Sequence, residues 1–248
     1  MLDSSKPNHL LDRGFSSEIL QSDAPLDLRN IGDSAWNAIL ANCRTAELHL
    51  YNLEIPSLSG IENLRSIRTL NIVWAAKVDS LQPVFRMNWL ERFFVSDLKL
   101  LREVDGIGEL ENLRELHLSG NLGSLDPPMR LTSVRPIAQL AKLEKLELRN
   151  IRLEDDDISF VGDCFPNLRE LKLSSRFERR DFAYLARRLN AQLKEPIAAS
   201  VQTNIECKKC GSLKLMFVGR RMPFLCSSCD DARIRKLTRE FEEMAQRS

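Results

Sequence analysis

One hydrophobic pattern, Leu-x-x-Leu-x-Leu, recurs along most of the chain. Its clearest copies are LRELHL (Leu113–Leu118), LEKLEL (Leu143–Leu148) and LRELKL (Leu168–Leu173), with looser copies in TAELHL (Thr45–Leu50), IRTLNI (Ile67–Ile72) and LERFFV (Leu90–Val95). PLDL (Pro25–Leu28) reads as an opening copy. Aligned on the fourth position, the copies fall at Leu26, Leu48, Leu70, Phe93, Leu116, Leu146 and Leu171, in steps of 22, 22, 23, 23, 30 and 25 residues. Alternation within each copy predicts a short strand with every second side chain inward, and the spacing leaves room for a return segment. Helical spacing appears in Asp33–Cys43, with Asp33 as candidate N-cap, and in Asp181–Leu193. It appears again in Ala232–Arg247, where Ile234, Leu237, Phe241 and Met244 share one face.

A unit of this size cannot bury its apolar face alone, so neighbours must stack into a solenoid. The repeat resembles that of leucine-rich-repeat proteins, and its short steps resemble those of internalins. The resemblance covers about residues 25–193 and implies an α/β solenoid of about seven repeats with a concave parallel β-sheet. The family's asparagine, three residues after the second strand leucine, occurs here at Asn121; Ile31, Leu53, Ala75, Leu98 and Ile151 hold the other positions, and Asn30, Asn52 and Asn150 come one residue early. The long step contains Asp126-Pro127-Pro128, which predicts a loop on the return side. Residues 1–24, polar and irregular, predict a mobile tail, and residues 194–206 a linker.

Charge separates the remainder. Residues 207–248 hold ten of the chain's 36 Lys/Arg but five of its 35 Asp/Glu, which leaves 26 bases and 30 acids before them. The net charge of +1 excludes a chain that is basic throughout. The N-terminus lacks the apolar stretch of a signal peptide, and the longest apolar run, Ile72–Ala76, is far short of the roughly 20 residues a membrane span needs. A cytoplasmic, reducing setting is therefore expected, with no membrane partner. There, paired cysteines bind metal more readily than they oxidise.

Four of the six cysteines form two Cys-x-x-Cys pairs, Cys207/Cys210 and Cys226/Cys229, fifteen residues apart. That spacing matches a four-thiolate Zn2+ site. Leu213–Val218 and Met222–Cys226 flank Gly219-Arg220-Arg221 and predict a β-hairpin, so residues 207–248 read as a small zinc ribbon with a C-terminal helix. Four protein ligands close the coordination shell, and the zinc is structural. Lys208, Lys209, Lys214, Arg220 and Arg221 give the ribbon a basic surface that could meet nucleic acid. Cys43 and Cys164, without close partners in sequence, read as small buried residues.

The resemblance implies that a partner lies across the concave sheet, where outward strand positions align between repeats. Those positions include Glu47, His49, Tyr51, Asn71, Trp74, Arg92, Phe94, Glu115, His117, Lys145, Glu147 and Arg149. Their mixed charge suits a protein better than a phosphate backbone, and Tyr51, Trp74 and Phe94 read as a cluster of interface anchors. His49 and His117, three strands or about 14 Å apart, are too distant to share a metal or proton. No phosphate loop, nucleophile elbow or His-Glu metal motif is present, so neither an enzyme nor a small-molecule substrate is expected. The expected function is a protein-binding adaptor or inhibitor; in size and build the chain resembles bacterial immunity proteins that neutralise a toxin by occlusion. The alternative is nucleic-acid association through the ribbon.

Overall fold

The computed structural model describes residues 8–121 and 127–247. Eight parallel strands form one sheet: β1 (Asn8–Leu10), β2 (Leu26–Ile31), β3 (Glu47–Leu53), β4 (Thr69–Val73), β5 (Arg92–Ser96), β6 (Glu115–Ser119), β8 (Lys145–Arg149) and β10 (Glu170–Leu173), in that order. Leu26, Leu48, Leu70, Phe93, Leu116, Leu146 and Leu171 stand opposite one another across it, reproducing the sequence alignment residue for residue. Their inward side chains and those two residues later (Leu28, Leu50, Ile72, Val95, Leu118, Leu148) make two apolar columns, buried throughout except at Leu171 on the last strand. The fold is thus a leucine-rich-repeat solenoid of α/β class.

The return side is built from short turns. Helix α1 (Asp33–Asn42) crosses from β2 to β3, with Gly32 rather than Asp33 as its N-cap. One-turn helices α2 (Gln82–Phe85) and α3 (Val161–Cys164) and 3-10 turns such as Ile61–Asn63 and Ile107–Glu109 serve later repeats. Gly60 and Gly106 open those two turns at φ 96° and 86°, a backbone region open to glycine at no steric cost. Two short strands, β7 (Met129–Leu131) and β9 (Ile151–Leu153), pair in parallel as a separate ladder. The sequence-predicted loop of the long step therefore contributes a strand at Met129; its Asp126 lies outside the described residues, whereas Pro127 and Pro128 lead into β7.

Both ends differ from expectation. Residues 8–24, read as part of a mobile tail, form β1 and two 3-10 turns whose Leu11 and Leu20 are buried against the first repeat. These residues cover an apolar layer that the first repeat would otherwise expose. The linker expected at 194–206 is largely β11 (Ser200–Glu206), which pairs antiparallel with β12 (Leu213–Phe217), and β12 with β13 (Phe224–Cys226). The predicted hairpin is accordingly the inner and outer strand of a three-stranded sheet.

At the C-terminal end, α4 (Arg179–Leu189) covers the last repeat with Phe182, Ala183, Leu185, Ala186 and Leu189. Helix α5 (Asp231–Arg247) packs on α4 through buried Phe241, with Ile234, Leu237 and Met244 partly buried beside it. Arg179 donates to the Leu237 carbonyl and lies near the Phe241 ring. The β12–β13 turn docks through Arg220, whose Nη2 is 2.6 and 2.7 Å from the Asp156 oxygens. Its backbone N–H also donates to the Phe177 carbonyl at 2.8 Å. Among the described residues no helix is long and apolar enough to cross a membrane.

Candidate functional site

The outward strand positions align in three rows. The first contains Glu47, Thr69, Arg92, Glu115, Lys145 and Glu170; the second Asp27, His49, Asn71, Phe94, His117, Glu147 and Lys172; the third Arg29, Tyr51, Val73, Ser96, Ser119 and Arg149. Parallel pairing brings these side chains into reach across repeats. His49 Nε2 sits 2.8 Å from Glu47 Oε1, and its Nδ1 is 3.2 Å from Asn71 Nδ2. His117 stands between Glu115 at 2.8 Å and Glu147 at 3.7 Å, while Lys145 is 2.6 Å from Glu115 and 3.7 Å from Glu170. Arg92 Nε donates to Thr69 Oγ1 at 2.8 Å, and Arg149 meets Glu147 at 2.9 Å. The His117 hydrogen bond, reinforced by Lys145, pulls the Glu115 carboxyl down to about 2 against the opposing effect of burial. Its second partner, Lys145, is raised by Glu115 although burial opposes it. This interlocked surface presents both charge signs in fixed positions.

The three aromatic residues expected to cluster are divided. Tyr51 and Trp74 meet edge to face, with ring centroids 5.8 Å apart. Phe94, one row over, instead tilts against His117 at 4.5 Å. Row membership explains the split, because Phe94 shares its row with Asn71 and His117 while Tyr51 stands in the next row. Arg29 lies 5.2 Å from the Tyr51 centroid while its Nε holds Asp27 at 2.9 Å. Sequence reasoning left out Asp27 and Arg29, although they occupy the same aligned positions as His49 and Tyr51.

Each strand exits the concave face through one fixed position, and there the backbone is often left-handed. Asn30, Asn52, Trp74, Asp97 and Asn150 have φ of 59°, 56°, 58°, 58° and 44°. Asparagine and aspartate tolerate this region; a bulky side chain is an outlier in it. The early asparagines therefore have a conformational reason, and they also tie turns together. Asn52 Nδ2 donates to Asn30 Oδ1 at 2.8 Å, Asn30 to Asp12 at 3.1 Å, and Asn150 to the Asn121 carbonyl at 2.6 Å. Trp74 takes this strained position and still leaves 41% of its surface exposed.

Cys207, Cys210, Cys226 and Cys229 come together at the other site, their sulfurs all within 4.8 Å of one another. Cys210 and Cys226 Sγ are 3.4 Å apart, as are Cys229 and Cys210. Tetrahedral ligation at about 2.3 Å implies sulfur separations of roughly 3.8 Å, so the four thiols fit a single metal ion. The loops are shaped for it. Gly211 N–H donates to the Cys207 carbonyl at 2.9 Å, and Cys226 N–H to Asp230 Oδ2 at 2.8 Å. Donation from Ser212 pulls Cys210 down to about 6, while the hydrogen bond with Cys210 pushes Cys229 up to about 12. Four thiols this close can all ionise only against a cation. Of the other two cysteines, Cys43 is buried and driven up to about 11 by desolvation, and Cys164 is half-buried.

The basic residues of this unit are not equivalent. Arg220, expected as a free surface charge, is consumed by Asp156 and by Glu178 at 3.4 Å. Lys208, Lys209 and Arg221 remain exposed.

No family model matches the chain, and no curated protein matches it. Among solved structures it is similar to an internalin of Listeria monocytogenes, at 18% identity and a TM-score of 0.44, with 60% of this chain and 39% of that one covered. Internalin C2 of Listeria monocytogenes is similar at 23% identity and a TM-score of 0.48, covering 64% and 66%. A leucine-rich-repeat protein of Leptospira interrogans is similar at 22% identity and 0.42, covering 65% and 52%. Each match spans less than two thirds of the other chain.

Proposed function

We propose that this chain is a protein-binding adaptor or inhibitor that engages its partner across the concave sheet. The observation that carries the reading is Trp74. A bulky aromatic side chain held in the left-handed region costs of order 1–3 kcal/mol, and backbone strain of that kind concentrates at functional positions. Here the left-handed exits of four other repeats hold asparagine or aspartate, and Trp74 projects to 41% exposure against Tyr51. Exposed aromatics near fixed charges are typical interface anchors. The ion-paired rows beside it offer a surface already ordered before binding.

Replacing Trp74 with asparagine separates folding from binding. Trp74→Asn should stabilise the protein by about 1 kcal/mol, read as a higher Tm, while weakening partner affinity by about 2 kcal/mol or more. The measurement is quantitative retention of a defined partner, isolated on the wild-type protein and titrated against both forms. Equal affinity for the two forms would sink the reading. Retention of nucleic acid instead, controlled by Lys208 and Lys209, would favour the ribbon.

If the partner is a toxic enzyme, the mode is occlusion. The polar groups of the concave face are engaged with one another rather than poised for chemistry, so inhibition would be stoichiometric and leave the partner covalently intact. The ion assigned to the four thiols is zinc, in a closed, structural shell. A reducing, cytoplasmic setting, where paired cysteines hold metal rather than oxidise, goes with that reading.

A further inference from the structure

An open cleft of about 1090 Å³ separates the exit edge of β8 and β10 from the turn between β12 and β13. Five arginines line it, Arg149, Arg152, Arg176, Arg220 and Arg221, against one acid, Asp156. Two of the five are satisfied: Arg220 by Asp156, and Arg149 by Glu147. Arg176 Nε meets only the neutral Asn150 amide oxygen, at 3.1 Å. Neither it nor Arg152 nor Arg221 has a carboxylate partner among the described residues. These three guanidinium groups come from separate elements: β9, the loop after β10, and the hairpin turn. Arg221 is itself held at φ 60°.

A second observation points the same way. Ser174 also lines the cleft, and its Oγ is buried with no hydrogen-bond partner among the described residues. A buried hydroxyl left unsatisfied is costly, and a ligand oxygen would remove that cost. Three guanidinium groups without a carboxylate partner on one cleft make the local potential positive and favour an anion.

The surroundings select the anion. Guanidinium forks match carboxylate and phosphate alike. Nucleotides, however, are held by aromatic plates, and the one aromatic residue lining this cleft, Phe177, is buried to 2% exposure. What adjoins the arginines is an apolar strip with a single ring, not a series of aromatic plates. Met216 lines the cleft and pairs with Val201 on one side and Phe224 on the other, so all three share one face of the sheet. Val201 and Phe224 are 46% and 48% exposed. We propose that this cleft binds an acidic peptide segment in which carboxylates alternate with bulky apolar side chains. The segment belongs to the protein partner, so the proposal rests on the protein-binding reading. Arg149, an outward residue of β8, makes the cleft continuous with the concave face.

Fluorescence anisotropy with the metal-loaded full-length protein tests this. The probes are a labelled peptide of alternating Glu and Phe, its Gln/Phe analogue and a labelled oligouridylate. The Glu/Phe peptide should bind more weakly as salt rises, and the Gln/Phe analogue at least about tenfold more weakly still. Arg152→Gln with Arg221→Gln should reduce Glu/Phe binding to the level of the analogue. Arg221→Gly relaxes the turn and removes the charge, and should also weaken binding without loss of thermal stability. Equal binding of the two peptides, or wild-type affinity in the double variant, would overturn the proposal. Preference for the oligouridylate would overturn it in favour of nucleic acid. Peptide titration does not involve Trp74 and partner retention does, so the two readings fail separately.

Discussion

Strands β3, β4, β5, β6 and β8, set against strand β11, show how differently the two parts of this molecule are held. Each of the former buries at least two side chains in the shared columns, whereas none of the seven residues of β11 is buried. Between residues 200 and 230 the buried apolar side chains are Phe217, Val218 and Leu225, besides Cys207 and Cys226 of the thiol cluster. The solenoid is stabilised by a core that every repeat extends. The C-terminal unit orders residues 200–230 around almost no core, so its order rests on docking and, on the proposed reading, on metal ligation.

The comparison predicts, first, an asymmetric response to chelation. Removing the metal, or replacing Cys207 and Cys226 with serine, should forfeit on the order of 10 kcal/mol of local stabilisation. Amide exchange should then become fast across 200–230 and stay slow in β3, β4, β5, β6 and β8. Uniform loss of protection would mean that the two parts are one cooperative unit. The converse change is Phe93→Ala, which empties the middle of an apolar column. A cost of about 3–5 kcal/mol is expected, visible in denaturant unfolding, with metal stoichiometry retained under native conditions. A variant that lost its metal in step with its fold would contradict the separation.

Arg220→Gln addresses the joint between the two. Its partly exposed pairing with Asp156 and its bond to the Arg176 carbonyl should be worth roughly 1–2 kcal/mol. Exchange should rise at the β12–β13 turn while both the thiol cluster and the repeat core stay protected. The smallest effect concerns pH. Because the Glu115 carboxyl is lowered in the folded state from 4.5 to about 2, its stabilisation is complete above about pH 4.5. It declines as pH falls towards 2. In Glu115→Gln that part of the acid-induced decline in Tm should be absent; an unchanged acid limb would show that the His117–Glu115–Lys145 contacts contribute nothing to folding.

How much of this was legible in the sequence follows the same division. The repeat was readable because each step returns a leucine to one column, and the register across β2 to β10 matched it at every copy. Thiol spacing was readable because metal geometry restricts it. What escaped notice lacked periodicity. β1 is three residues long and is defined only by its distant partner β2. Strand β11 was passed over as a linker because Val201 and Ile205, its apolar residues, face solvent rather than a core. The strain at Trp74 left a readable trace: aligning the strand exits sets it among Asn30, Asn52, Asp97 and Asn150. Arg220 gave no such trace, since only the fold brings Asp156 to it.

The ladder also has a consequence for how the chain acquires its structure. Parallel sheets ordinarily form slowly, because strands distant in sequence must find each other. Here the strands of successive repeats pair at steps of 22 to 30 residues from β2 onward. That separation is only about a tenth of the chain, the range of fast helical folders rather than of β-sandwiches. Each new turn can therefore settle on the one already made, from the N-terminus towards the thiol cluster, in the order of synthesis.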